Sequence, residues 1–424
     1  GHAEVVNLLV SRTRSGRRKD MRGLTPLHFA AAYGHLACTR LLAIRDEAAA
    51  RSVDGCTPLH MAAARGHVPV VAHLLDAGGL VNEPTVQGCT ALHFAARLGH
   101  ADVVELLLLR GADVNTVDAA GNTPLLSAAR TDHVPVIAAL AARGADVNAT
   151  NSKGATPLHI TIMCECATAA ECLLRCGSNA KAVDTRGRTP LLYAVLSASV
   201  PLVTLLLAHG GDVNLPDAKG NSPCILAAQH SSTDVLELLL KNGADPKPVN
   251  AKEETSIICA MTCPDPRPTW RLLLAHGANV NDVNAKGWTA LHVAVSKSSP
   301  TLVDALLELG ADPTLEGDIS APGAIKQLGT PAQLAHKMGH TKLERVLRSA
   351  MWRAAMMRFS ASASRHASAG HVIVECSVCM SAHKDTVFVP CGHMVACYAC
   401  ASKLGGTICP LCRGATTGIQ RVWF

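Results

Sequence analysis

The chain has 424 residues, enough for more than one domain and a large buried core. Its apolar content is 48% but its aromatic content only 3%, which favours Ala/Leu/Val-packed helices over a β-sandwich. A net charge of +6 is too mild to indicate a nucleic-acid partner, and no apolar run reaches the ~18 residues of a spanning helix, so no membrane partner is expected.

In chain order, GHAEVVNLLV (1–10) is no signal peptide. It reads as the second helix of a repeat already under way, which creates the expectation of an incomplete N-terminus. SRTRSGRRKDMR (11–22) is a short basic cluster. A solvated inter-repeat loop is the plainer reading, ahead of an acid-binding patch or nuclear signal. From there a hydroxyl residue recurs at Thr25, Thr57, Thr90, Thr123, Thr156, Thr189, Ser222, Thr255 and Thr289, mostly 33 residues apart, with an irregular copy at Thr330. Periodicity of this length marks a stacked-repeat architecture. In GCTALHFAARLGHADVVELLLLRGADVN (88–115), Thr90 N-caps a first helix with Leu92, Ala95 and Ala96 on one face, and Gly99 stops it. Val103, Leu106 and Leu107 then form the apolar face of a second helix ending at Gly111, and Asp113–Asn115 opens the turn into the next unit. Pro58 and Pro124 occupy the favoured first helical position. A single helix pair cannot bury both faces, so neighbours must stack.

The TPLHxAA and GADVN motifs resemble those of ankyrin repeats over roughly residues 1–350. The resemblance implies antiparallel helix pairs with β-turn fingers that bind proteins through the fingers and inner helices. TPAQLAHKMGHTKLERVLRSA (330–350) has the more polar second helix of a capping unit. His28, His60, His93, His159 and His292 recur once per repeat with no carboxylate or thiol at ligand spacing. They are therefore expected to tie adjacent loops, and the Gly-His pairs at His35, His67 and His100 are likewise structural.

Two units break the pattern. EETSIICAMTCPDPRPTWRLLL (253–274) carries Pro264, Pro266 and Pro268, which shorten its first helix. Trp270 and Trp288 raise the reading of a specialised recognition surface against the plainer one of drift in a tolerant repeat. TPLHITIMCECATAAECLLRCG (156–177) carries Cys164, Cys166, Cys172 and Cys176 without paired CxxC spacing. Buried packing thiols are expected there and at Cys259 and Cys263. In MWRAAMMRFSASASRHASAG (351–370), the first half can extend the capping helix, with Trp352, Met356 and Phe359 roughly on one side, and the Ser/Ala half reads as a flexible tether.

The C-terminal segment carries the most specific signal. Its ligand residues run Cys376-x2-Cys379-x11-Cys391-x-His393-x3-Cys397-x2-Cys400-x8-Cys409-x2-Cys412. Four such pairs close two tetrahedral zinc shells, and closed shells leave no place for a catalytic water, so these are structural zincs. With 17 cysteines in all, seven in this array and ten scattered, free thiols at ligand spacing point to a reducing compartment, cytosol or nucleus.

The ligand order resembles the RING finger, and VFVPCGHMVACYACASKL with CPLCRG is similar to the RINGs of inhibitor-of-apoptosis and Mind bomb proteins. The resemblance implies interleaved sites, Cys376, Cys379, Cys397 and Cys400 on one zinc and Cys391, His393, Cys409 and Cys412 on the other. It also implies a RING-type ubiquitin ligase without a catalytic nucleophile. Val378, Leu404 and Pro410 fall where the family contacts the conjugating enzyme, and Arg413 falls at its bridging cation. Trp423 and Phe424 fall in a tail that in inhibitor-of-apoptosis RINGs dimerises and supports ubiquitin; Ile419 and Val422 would join that interface. The expected architecture is an α-solenoid of ankyrin repeats over 1–350, a linker over 351–370 and a small α+β RING finger over 371–424. Its expected partners are a conjugating enzyme, ubiquitin and a protein substrate, with RING homodimerisation and no nucleic acid. A non-enzymatic scaffold whose zinc module only dimerises is the alternative.

Overall fold

The structure, a computed structural model, describes residues 2–13, 19–43, 45–320, 327–365, 386–389, 393–396 and 418–421. Helix α1 spans Ala3–Thr13. Helix pairs follow: α2 Pro26–Ala32 with α3 Leu36–Leu42, α4 Pro58–Ala64 with α5 Val68–Asp76, α6 Ala91–Leu98 with α7 Ala101–Leu109. Next come α8 Pro124–Ala128 with α9 Val134–Ala142, α10 Pro157–Met163 with α11 Ala167–Arg175, and α12 Pro190–Leu196 with α13 Val200–Ala208. The later pairs are α14 Pro223–Gln229 with α15 Thr233–Lys241, α16 Ser256–Ala260 with α17 Arg267–Ala275, α18 Ala290–Ser296 with α19 Pro300–Glu308, and α20 Pro331–Lys337 with α21 Thr341–Arg365. A 3-10 turn, Arg45–Ala49, precedes α4. The strands are β1 Gly317–Asp318, β2 Leu328–Gly329, β3 Thr386–Val389, β4 His393–Ala396 and β5 Gly418–Arg421. The chain divides into two compact units, Gly1–Ala251 and Lys252–Phe424.

Each inner helix begins where the hydroxyl residue puts it. Thr90 has extended backbone (φ −91°, ψ 170°) and caps α6, and Gly99 ends that helix in the left-handed region at φ 81°. A side-chain cap of this kind is worth about 1 kcal/mol. Leu92, Ala95 and Ala96 are fully buried, as the spacing predicts. In α7 the buried set is Val103, Val104 and Leu107, while Leu106 is only partly buried. The outer helix packs against both its own inner helix and its neighbours' outer helices, so its buried face is wider than the i, i+3, i+4 reading and takes in Val104.

The fingers are closed turns joined in series. Asp118 accepts the N–H groups of Ala120 (2.9 Å) and Asn122 (2.8 Å), and Ala119 N–H donates to Gln87 O of the preceding finger at 2.9 Å. The same bond recurs from Val53 to Arg22, Val86 to Asp54, Ser152 to Ala120 and Thr185 to Lys153.

The Gly-His pairs prove to be seams. A Cβ on Gly34, Gly66 or Gly99 would meet the ring of His67, His100 or His133 of the next repeat at 2.7, 2.7 and 2.5 Å. His67 Nε2 and His100 Nε2 reach back to Ala32 O and Ala64 O, both at 3.1 Å. Where the next repeat offers Ser instead, as at Ser199 and Ser232, the left-handed position is Glu165 (φ 57°) or Ala198 (φ 53°).

In the second unit the prolines confine α16 to five residues. Trp270 is fully buried and its indole N–H donates to Ile257 O at 2.9 Å, so it fills the space of the shortened helix rather than forming a recognition surface. Trp288 is half-buried, donates to Asp318 O and lies under Lys286 Nζ at 5.3 Å. Helix α21 runs through Arg365, past position 351 and into the Ser/Ala stretch read as a tether. Its Ala, Met and Arg content supports continuation.

Candidate metal centre and partner surface

The bonds of the repeat histidines keep them from metal chemistry. Thr57 N–H donates to His60 Nδ1 at 3.1 Å, and His60 Nε2 lies 3.1 Å from Cys89 O of the next repeat. His28, His93, His159 and His292 do the same toward Cys56, Asn122, Arg188 and Gly329 carbonyls at 3.0 Å each. A ring whose Nδ1 accepts and whose Nε2 faces a carbonyl is the neutral Nε2–H tautomer, with no lone pair left for a metal. Burial pushes all five pKa values down, that of His60 to about 4. The expected tie between loops is present. The spacing did not reveal that the same ring also caps its own helix.

The ten described cysteines are free. Burial pushes the Cys224 and Cys259 thiols up to about 12, which makes them inert packing groups. Cys164 and Cys176, expected to be buried, are exposed, because they fall at the C-caps of α10 and α11, where the helix turns toward solvent. Among the described residues no group of three or more His, Cys, Asp or Glu is placed to hold a metal, and no helix is long and apolar enough to cross a membrane.

That leaves the C-terminal array. Here β3 is the centre of an antiparallel sheet in the order β4-β3-β5. Phe388 pairs with His393 and Val387 with Met394, then the register shifts before Thr386 pairs with Ala396. This bulge sits on the strand that ends directly before Cys397. The hairpin therefore starts β4 on His393 and delivers the chain to Cys397, residues that the RING resemblance gives to different zincs. Strand β5 pairs with β3 throughout, Thr386 with Arg421 to Val389 with Gly418. Residues 418–421 of the C-terminal tail thus contribute an edge strand to this sheet. The donor set of thiols plus one imidazole fits zinc in its chemistry. Cys376, Cys379, Cys391, Cys397, Cys400, Cys409 and Cys412 lie outside the described residues, as do Val378, Leu404, Pro410, Arg413, Val422, Trp423 and Phe424.

Known proteins show the same division. A family model described as ankyrin repeats matches residues 1–83, 44–118, 92–179, 158–250 and 225–316. The chain belongs to the ankyrin-repeat family. A second model, a C3HC4-type zinc finger (RING finger), matches residues 373–419 of this ankyrin-repeat protein. Its RING region is 56% identical over 48 residues to E3 ubiquitin-protein ligase IAP-3 of Orgyia pseudotsugata multicapsid polyhedrosis virus, covering 11% of this chain and 17% of that protein. It is 40% identical over 50 residues to E3 ubiquitin-protein ligase APD4 of Arabidopsis thaliana, 11% of this chain and 12% of the relative. It is 55% identical over 38 residues to E3 ubiquitin-protein ligase SP1 of the same plant, 9% and 10% respectively. The chain thus covers less than a fifth of the length of these relatives. The ankyrin repeats and RING finger expected from the motifs are both present.

Proposed function

We propose that this ankyrin-repeat protein is a RING-type E3 ubiquitin ligase whose repeats recruit a protein substrate. The observation that carries the proposal is the complete ligand array, three cysteines, one histidine and then four cysteines, in a region 56% identical to that of a protein named as such a ligase. Two zinc ions, held as Cys376, Cys379, Cys397, Cys400 and Cys391, His393, Cys409, Cys412, supply the cross-links that let so short a module fold. Val378, Leu404 and Pro410 form the apolar contact for the conjugating enzyme. Arg413, with its planar fork of donors, bridges enzyme and ubiquitin. Catalysis is positional: holding the ubiquitin thioester in an attack-ready pose removes entropy from the barrier, and the incoming nucleophile is the substrate's own lysine. Trp423 and Phe424, in the C-terminal tail, serve as contacts to ubiquitin or a second RING. A reducing compartment, cytosol or nucleus, suits the thiols.

The test is self-ubiquitination by the full chain with a panel of conjugating enzymes, wild type against Val378→Ala, with zinc measured in both. Activity that is lost in the variant at unchanged zinc content supports the ligase. An inactive, zinc-loaded wild type across the panel supports a scaffold instead.

A further inference from the structure

The repeats pack through Ala, Leu and Val and need few aromatic rings. Residues 1–350 hold only four Phe or Tyr, namely Phe29, Tyr33, Phe94 and Tyr193. All four sit four or eight residues after a capping hydroxyl, on the inner helices, and three of them fall within the first three full repeats. Tyr33 is 65% exposed and Leu98 46%, and Phe94 is half-buried edge-on against His60 at 5.6 Å. The fingers beside these helices carry Val53 and Val86, 70% and 73% exposed, at equivalent turn positions joined through the finger bonds. Helices α2, α4, α6 and α8 pack in succession, so these side chains share one face. Large apolar groups clustered in the open on a stable scaffold mark an interaction surface.

Charge identifies the kind of occupant. These four helices contain no Asp or Glu. Exposed Arg65, Arg97 and Arg130 stand at their C-terminal ends, and the Arg97 guanidinium lies 5.0 Å over the Phe94 ring. None of the three forms an ion pair among the described residues. Carboxylates of the two flanking fingers are engaged by their own turns, Asp20 accepting from Arg22 and Leu24 N–H and Asp118 from Ala120 and Asn122 N–H, while Asp54 beside Val53 is exposed.

We infer that this face, with Tyr33, Phe94 and Leu98 as its floor, Val53 and Val86 as its rim and Arg65 and Arg97 as its charges, docks an acidic peptide segment bearing apolar side chains. As a substrate-selecting site it rests on the ligase reading above, but its binding chemistry does not. Apolar side chains of the peptide cover the rings while its carboxylates meet the guanidinium groups, which suit bidentate pairing.

The experiment selects a library of random peptides of about 12 residues, the scale of linear recognition motifs, on the full chain. Labelled winners are then titrated against wild type, Leu98→Asp and Arg97→Glu. Both positions are exposed, so circular dichroism should be unchanged. Winners should combine Asp or Glu with Leu, Phe or Trp and weaken at least ~10-fold with either variant, about 1.4 kcal/mol. Swapping their acids for Lys should abolish wild-type binding and favour Arg97→Glu. Absence of winners, basic winners, or equal binding to Leu98→Asp overturns the inference. So does a wild-type dimer that sediments as a monomer in Leu98→Asp, since the face would then belong to a second copy. Both variants should keep wild-type self-ubiquitination; a wild type that binds peptide yet transfers no ubiquitin refutes the ligase and leaves the docking face standing.

Discussion

The repeats from Thr25 to His133 and those from Cys166 to Ser232 use one backbone plan with different seams. In the first set, a histidine ring of the next repeat lies against a left-handed glycine, Gly34 under His67, Gly66 under His100 and Gly99 under His133. In the second, Cys166, Ser199 and Ser232 replace the ring, and Asp132, Glu165 and Ala198 replace the glycine. Three of the capping histidines, at 28, 60 and 93, also belong to the first set. At 126, in the last inner helix of the first set, and at 192 and 225 in the second, the same position is Leu or Ile, and Thr123, Thr189 and Ser222 cap the helix unaided, through Leu126, Leu192 and Ile225 N–H at 3.3 Å. In the first set the glycine leaves the space that the ring fills, whereas further along Ser298, left-handed at φ 54°, meets His340 of the next repeat through its hydroxyl at 2.8 Å. Without the ring, a side chain at Glu165 or Ala198 tolerates the same left-handed backbone.

The largest expected effect that separates the two sets is acid. The pKa of His60 lies at about 4 in the folded chain against 6.5 in its absence. Its contribution is therefore fully present above pH 6.5 and is lost as pH falls from 6.5 toward 4, on the order of 3 kcal/mol. Hydrogen exchange at pH 7.5 and 4.5 should show protection dropping first in residues 25–122. Equal loss over 189–250 would break the comparison.

Next is Gly99→Ala. It places a methyl against the His133 ring at φ 81° and should destabilise by about 2–3 kcal/mol in denaturant titration. Adding His133→Ser should recover the steric part and leave about 1 kcal/mol, the backbone cost alone. If the double variant is no more stable than the single one, ring and glycine are not a seam. His60→Leu should cost about 1 kcal/mol at pH 7.5 through its lost bond to Cys89 O, and should flatten the acid dependence of its repeat in the same titration run at several pH values. The smallest effect is Ala198→Gly, a stabilisation of about 0.5–1 kcal/mol seen as a raised denaturation midpoint, because it relieves φ 53° where no ring competes for the space.

Much of this was legible before any coordinates. Thr25 through Thr330 announced every inner helix, because a cap hydroxyl, followed at all but Thr255 by Pro or Ala at the first position, is a local signal. The Cys/His array that led to the RING finger was an equally local pattern, and a RING model matches residues 373–419. What stayed hidden depends on neighbours. Val104 is buried by adjacent outer helices, Trp270 fills room that the proline-bound α16 vacates, and Cys164 and Cys176 look out because of where their helices end. The partner of the Gly-His pair was illegible for the same reason. It lies a full repeat away, and the pair looks complete within its own dipeptide.

The finger bonds, one backbone N–H to one carbonyl from each turn to the last, have a mechanical meaning. Within Gly1–Ala251 the joints are wired in series, so load applied at one end reaches each in turn rather than being shared. Stretched between two anchors, this part of the chain should yield in steps, each freeing a repeat of 33 residues, roughly 110 Å of extended chain. It would behave as a spring with a ratchet of equal teeth, lengthening under tension and rewinding one tooth at a time on release.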